Sequence, residues 1–261
     1  MQALDVGKLW RFRYLLLLLV WRDVKVRYKQ AIFGFAWAIF TPTFQALVFW
    51  LVFGIVFKVA SPKVPYLALV FSGFTFWNFF SQSVSSATSA VTGNSHLVTK
   101  IAFPKEILVT ASTLSRIPDL LASFSVLLVV LFVYGIVPSL NLLWIIPILI
   151  VEIVLAISLG LFFASVNVYF RDITALVPII LMAWLFLTPV IYPLESIPTQ
   201  YQFYAKLNPM TGILEGLRNA LLFKTSPDSF SLGLSASIAF ILFIISYLLF
   251  KKLEKGFADV I

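Results

Sequence analysis

The sequence predicts an all-α polytopic membrane protein: six transmembrane helices, an N-terminal amphipathic interface helix, and short re-entrant helices before the last span. Three observations predict it. The 261 residues are 61% hydrophobic and only 11% charged, and a folded surface in water needs far more charge than that. Uncharged apolar runs recur at lengths near the ~20 helical residues that cross a bilayer. The Lys and Arg residues cluster beside those runs, on alternate sides. The net charge of +8 therefore reads as membrane topology and not as a nucleic-acid surface. The chain has no cysteine, which removes disulfide, thiol-nucleophile and cysteine-metal chemistry.

Residues 1–30 are expected to form the N-terminal interface helix, and 31–261 the transmembrane domain. Lys8, Arg11, Arg13, Arg22, Lys25, Arg27 and Lys29 mix here with Trp10, Phe12, Tyr14 and Trp21. The apolar core from Leu15 to Val20 is too short to span, and Trp21-Arg22-Asp23 follows it where a signal peptide would carry small residues. Charged and apolar residues nearly alternate over 22–29, which a strand also permits. The helix is the expectation: it puts Arg22, Lys25 and Lys29 on one face and makes Asp23 and Arg27 an i,i+4 pair.

The spans are expected at about 34–57, 66–91, 116–134, 142–168, 173–192 and 231–250. Pro42 should kink the first. The polar, basic stretch 92–106 is an inner loop, and Arg116 and Asp119 mark the inner boundary of the third span. Residues 135–141 make an outer turn, Arg171 and Asp172 sit in a tight inner one, and Glu152 lies within the fourth span. Residues 193–230 form an outer segment in which Asn208-Pro209 starts a helix too short to cross, hence a re-entrant or interfacial one. Fourteen of the 19 Lys and Arg then fall inside and five outside, with both termini in the cytoplasm.

Chemistry is sparse. His96 is the only histidine, and no catalytic or metal-ligating arrangement assembles around it. No GxxxxGK[ST] phosphate loop occurs, so the energy for any transport must come from a gradient or another chain. Glu152 reads as a structural or interface carboxylate, since a proton relay needs several such groups. Phe33, Trp37, Phe40 and Phe44 share a helix face, Phe49, Phe53 and Phe57 continue it, and Tyr66, Phe71, Phe74, Trp77 and Phe80 load the second span. Composition alone favours lipid contact and interfacial belts. The other reading is a pore whose rings stack on the faces of sugars. Ser81 to Gly93 and Gly160 to Ala164 carry small residues suited to close helix packing.

Four strings, taken together, resemble the permease subunit of type-2 ABC exporters, in the branch that exports O-antigen, capsule and teichoic-acid polymers. They are Arg22-Asp23-Val24-Lys25-Val26-Arg27-Tyr28-Lys29 with Gly34, Trp37 and Pro42; Leu97-Val98-Thr99-Lys100-Ile101-Ala102-Phe103-Pro104; Asn167-Val168-Tyr169-Phe170-Arg171-Asp172-Ile173; and Thr188-Pro189-Val190-Ile191-Tyr192-Pro193 with Asn208-Pro209 and Arg218. The resemblance implies a homodimer in the bacterial inner membrane, carrying two copies of a separate ATPase subunit that binds ATP and Mg, with no cofactor in this chain. It implies a lipid-linked polysaccharide passing between the two permeases. His96, Leu97, Lys100, Ile101 and Phe103 would couple to the ATPase within 94–104. Arg22, Asp23, Arg27, Arg116, Asp119, Arg171 and Asp172 would be interface charges, and Tyr192, Asn208, Pro209 and Arg218 would lie in re-entrant helices near the exit. It also strengthens the case for an aromatic lining. A permease for a drug or small lipid would share these motifs. A membrane acyl- or glycosyltransferase would need clustered His, Asp or Glu, which the chain lacks.

Overall fold

The computed structural model describes residues 11–29, 34–58, 64–137 and 139–261, with Ala258 and Asp259 described in backbone only. Phe33, Lys8, Trp10 and most of the expected first outer loop lie outside the described residues. The helices are α1 (Arg13–Tyr28), α2 (Ala36–Phe49, continued by a π-helical stretch Trp50–Val56), α3 (Tyr66–Thr88), α4 (Ser95–Lys100), α5 (Glu106–Leu114) and α6 (Ile117–Val133). They continue with α7 (Ile145–Tyr169), α8 (Ile173–Leu187), α9 (Thr199–Lys206), α10 (Pro209–Leu221), α11 (Ser229–Leu253) and α12 (Phe257–Val260). No strand occurs among the described residues.

The helix α3 is the axis of the molecule. Seventeen of its 23 residues are buried, and α2, α5, α6, α7, α8 and α10 all pack on it. A helix surrounded by protein instead of lipid tolerates polar groups, provided each finds a partner. Ser72, Thr75 and Thr88 do so by donating to the carbonyls of Leu69, Phe71 and Val84. The helix α3 is about 34 Å long and carries these hydroxyls within its buried face. Among the described residues, four segments are long and apolar enough to cross a membrane: Ala36–Val56, Glu106–Val133, Leu140–Tyr169 and Ser229–Gly256. The helix α8 is apolar but has 15 residues, about 22 Å against a ~30 Å hydrocarbon layer.

Three boundaries differ from expectation. The third apolar helix begins at Glu106, ten residues before the expected start near 116, because α5 is itself buried against Leu19 of α1 in an inner core with Phe250 and Phe257. Pro118 supplies the interruption at Ser115-Arg116: it has no N–H, and its ring opposes the carbonyl four residues back. At the other end, α8 stops at Leu187, short of 192. Thr188 precedes Pro189 and is extended (φ −104°, ψ 140°), as a residue before proline prefers. The second expected span ends at Thr88 rather than 91, where a short turn leads to α4.

The chain turns after α6 at 134–137, overlapping the turn expected at 135–141. Gly135 adopts φ +70°, and the Ile136 N–H bonds the Leu131 carbonyl at 2.9 Å, closing the helix in the left-handed manner that glycine permits. The small-residue packing expected at Gly160 is also present: a Cβ there would sit 2.7 Å from Cβ of Ala87, so α3 and α7 meet almost backbone to backbone.

Candidate functional site

Polar chemistry concentrates in three places. The first is a cavity of about 240 Å³ between α1, α2, α3 and α6, lined by Arg27, Tyr28, Trp37, Asn78, Gln82 and Asp119 among others. Its floor is an ion-pair network. Arg27 Nη1 lies 2.9 Å from Asp119 Oδ2 and donates to the Ser115 carbonyl at 3.0 Å, while Nη2 donates to Ser115 Oγ at 2.9 Å. Tyr28 OH also donates to Asp119. Arg116 approaches the same carboxylate at 3.5 Å and donates to Gln82 Oε1 at 2.8 Å and Ser86 Oγ at 3.1 Å. Burial, then the Asp119 carboxylate, pushes the Tyr28 phenol up to about 12.

This arrangement corrects the expected Asp23–Arg27 pair. Asp23 accepts instead from its neighbour Arg22, at 3.0 and 2.8 Å. Arg27 turns inward, where a carboxylate, a carbonyl and a hydroxyl together satisfy more of its fork than one exposed carboxylate could. The sequence brought Arg116 and Asp119 together by spacing, but nothing local joined them to Arg27.

The second place is the turn after α8, where Tyr192, Asn208, Pro209 and Arg218, the residues expected in the re-entrant segment, come together. Arg218, buried within α10, donates to the carbonyls of Val190 (2.8 Å) and Tyr192 (3.4 Å) and pairs with Glu215 at 3.1 Å. Asn208 caps α10 by accepting from the Met210 N–H, donates to Thr188 Oγ1 at 2.8 Å, and accepts from Trp184 Nε1 at 3.1 Å. Pro209 follows as the first helical residue, where its missing N–H costs nothing. Tyr66 OH, from α3, donates to the Ile191 carbonyl at 2.7 Å. Gly73 is needed for this contact, since a Cβ there would stand 2.4 Å from the Val190 carbonyl oxygen.

The third place is the surface formed by α4, the turn before α8 and the end of α11. His96, Lys100 and Ile101 are exposed on or just after α4, Leu97 is half-buried, and Phe103 is buried in the inner core. Arg171 and Asp172 are exposed in the turn before α8. A groove of about 560 Å³ runs between residues 98–105 and the end of α11. Sequence reasoning gave the end of α11 no role. Lys251 nevertheless pairs with Glu106 (2.7 Å) and Glu254 (2.8 Å), and Glu254 also accepts from the Lys105 N–H at 3.1 Å. The Lys251–Glu106 and Lys105–Glu254 contacts cross 145 and 149 residues, and no periodicity announces them.

The aromatic stripe on α2 is on the surface. Trp37, Phe40 and Phe44 are 45%, 53% and 55% exposed, with Trp37 edge-on to Phe40 and Phe40 stacked on Phe44 at 5.6 Å. Trp77, expected among the same rings, is 3% exposed and packs against Phe80 and Trp184. It faces inward because α3 is enclosed on nearly every side. Glu152 is fully buried, and neither carboxylate oxygen has a partner among the described residues. No group of three or more potential metal ligands occurs among the described residues.

Comparison with known proteins gives a consistent result. A family model described as ABC-2 type transporter matches residues 14–222. The chain is 30% identical over 256 residues to the O-antigen export system permease protein RfbA of Myxococcus xanthus, covering 97% of this chain and 98% of the relative. It is 27% identical over 249 residues to an RfbA protein of Klebsiella pneumoniae, covering 95% of each. The polysialic acid transport protein KpsM of Escherichia coli matches over 236 residues at 23%, covering 90% of this chain and 92% of KpsM.

Proposed function

The chain belongs to the ABC-2 type transporter family, and we propose that it is the membrane permease of an exporter moving lipid-linked, O-antigen-like polysaccharide across the bacterial inner membrane. The observation that carries the proposal is the near full-length similarity to O-antigen export permeases, supported more distantly by KpsM. The chain is a multi-pass membrane protein and a transport subunit. ATP and Mg belong to a separate ATP-binding cassette subunit, two copies of which serve a homodimer of this chain. Six spans with both termini in the cytoplasm fit the cation distribution, α3 crossing behind its protein shell and α8 reaching across with the turn at Thr188. A membrane transferase is not favoured.

The parts divide the labour. The stretch 94–104, with His96, Leu97, Lys100, Ile101 and Phe103, receives the motion of the ATPase, and the turn carrying Arg171 and Asp172 lies on the same side. The helix α1 rests at the cytoplasmic interface, tied to α6 through Arg27 and Asp119. The exposed rings Trp37, Phe40 and Phe44 offer equivalent shallow stacking positions to passing sugars, each worth about 1 kcal/mol beyond area burial, so that no single site arrests the polymer.

The test is coupling. With Leu97→Asp and Ile101→Asp together, the inserted permease is expected to leave the ATPase hydrolysing ATP while polymer export stops. Normal export by that double variant would refute the assignment of 94–104.

A further inference from the structure

We infer that the end of α11 and residues 98–105 form one cationic docking groove for an acidic edge of the ATP-binding cassette subunit. The inference rests on the coupling role proposed for 94–104 and extends it to the other end of the chain.

The groove is lined by Lys100 and Lys105 on one wall and by Lys251, Glu254 and Lys255 on the other. Its carboxylate is already spoken for: Glu254 Oε1 accepts from the Lys105 N–H at 3.1 Å and Oε2 from Lys251 at 2.8 Å. Lys251 also neutralises Glu106 at 2.7 Å, just behind the groove. Lys100 and Lys255 stand exposed on the two walls, outside these pairs. What remains facing solvent is positive charge on both sides of Ile101, which is 52% exposed. An apolar contact flanked by cations fits a protein surface with an apolar notch bordered by Asp and Glu.

The second wall is built, not trailing. Phe257 is fully buried, edge-on to Phe250 with centroids 5.4 Å apart and 6.3 Å from Tyr169. Tyr169 OH donates to the Leu253 carbonyl at 3.1 Å, and Lys105 Nζ lies 6.0 Å over the Phe257 ring. A Cβ at Gly256 would meet Tyr169 OH at 2.6 Å, so the Tyr169 ring packs directly on the backbone there. The end of α11 is thereby locked to the coupling loop and to the end of α7. A push received at Lys255 reaches the last span and the loop together.

The experiment co-expresses the full chain with its cognate ATP-binding cassette subunit and measures their association in mild detergent at low and high salt. Lys255→Glu lies outside 94–104 and outside the ion pairs. Alone it is expected to weaken association several-fold at low salt, and with Lys100→Glu about tenfold, with a flatter salt dependence, as for removed rim charges. If both lysine variants associate like the wild type, the groove is not the docking site, and the coupling assignment still stands provided that Leu97→Asp/Ile101→Asp abolishes export. If that variant also exports normally, both fall. If the lysine variants keep the ATPase but release bound anionic phospholipid, the groove is a lipid-headgroup site and the inference is overturned.

Discussion

Arg27 and Asp119 meet at 2.9 Å across 92 residues of chain, joining the N-terminal helix to the third apolar segment. Asp119 also accepts from Tyr28 and Arg116, so one carboxylate organises two guanidinium groups and a phenol. Removing it would leave Arg27 and Arg116 facing one another. Asp119→Ala should therefore cost about 2–3 kcal/mol, less than the ~3–5 of a fully buried broken pair because both side chains keep some solvent contact. Thermal unfolding in detergent should show a midpoint several degrees lower. Arg27→Lys should lose less, keeping charge but not the fork. An unchanged midpoint for Asp119→Ala would mean that α1 is held by apolar packing alone.

Asp228 caps α11. The Ser231 hydroxyl, donating at 2.6 Å, holds its carboxyl below the usual carboxylate range, aided by the N–H groups of Phe230 and Ser231 at 3.3 Å and by Lys206. A lowered folded-state value contributes stability that is complete above the unfolded value near 4 and lost as pH falls through the folded one. Asp228→Ala should thus cost about 1 kcal/mol at pH 7. The gap between wild type and variant should close as the pH drops below about 4. A gap unchanged at pH 3 would show that the cap acts without its charge.

The stripe on α2 separates two accounts of its exposed rings. Leucine at Trp37 and Phe40 keeps the surface apolar and suits lipid as well as the native residues do, but removes the flat faces on which sugars stack. Slowed polymer export with near-normal insertion and dimerisation is the expected result. Export at the wild-type rate would assign the stripe to the membrane and move the lining to another helix.

Cation asymmetry fixes the expected topology. In this cysteine-free chain, a single cysteine at Ser226 should react with an impermeant thiol reagent in cells stripped of any outer barrier, and one at Ser95 should not. The reverse pattern would invert the molecule.

The elements legible in the sequence are those written locally. The Asn208-Pro209 helix start acts through neighbours a few positions away and stands where expected, whereas the stop before Pro189 falls short of the expected end at 192. A linear pattern offers Arg27 only Asp23, at i,i+4; its choice of Asp119 depends on how α1 lies across α6. Trp77 is one of the aromatics that load the second span, yet it is buried. The sequence of α3 gives aromatic content, whereas burial depends on how many helices surround it. Glu106 was read as loop because its charge masks an apolar helix behind it, and only the pairing with Lys251 reveals that the charge is accommodated.

The outer turn is fastened to α3 by a glycine that leaves no room, a tyrosine hydroxyl and a buried guanidinium. The helix α2 is linked to its neighbours by side-chain bonds from Asn78 to Gln45 and from Ser123 to the Ala38 carbonyl and by Phe49 against Phe74, yet only 11% of its apolar window is buried. The turn is an anvil. The helix α2, the least enclosed of the four apolar segments, has the least protein contact to give up if a bulky cargo needs room.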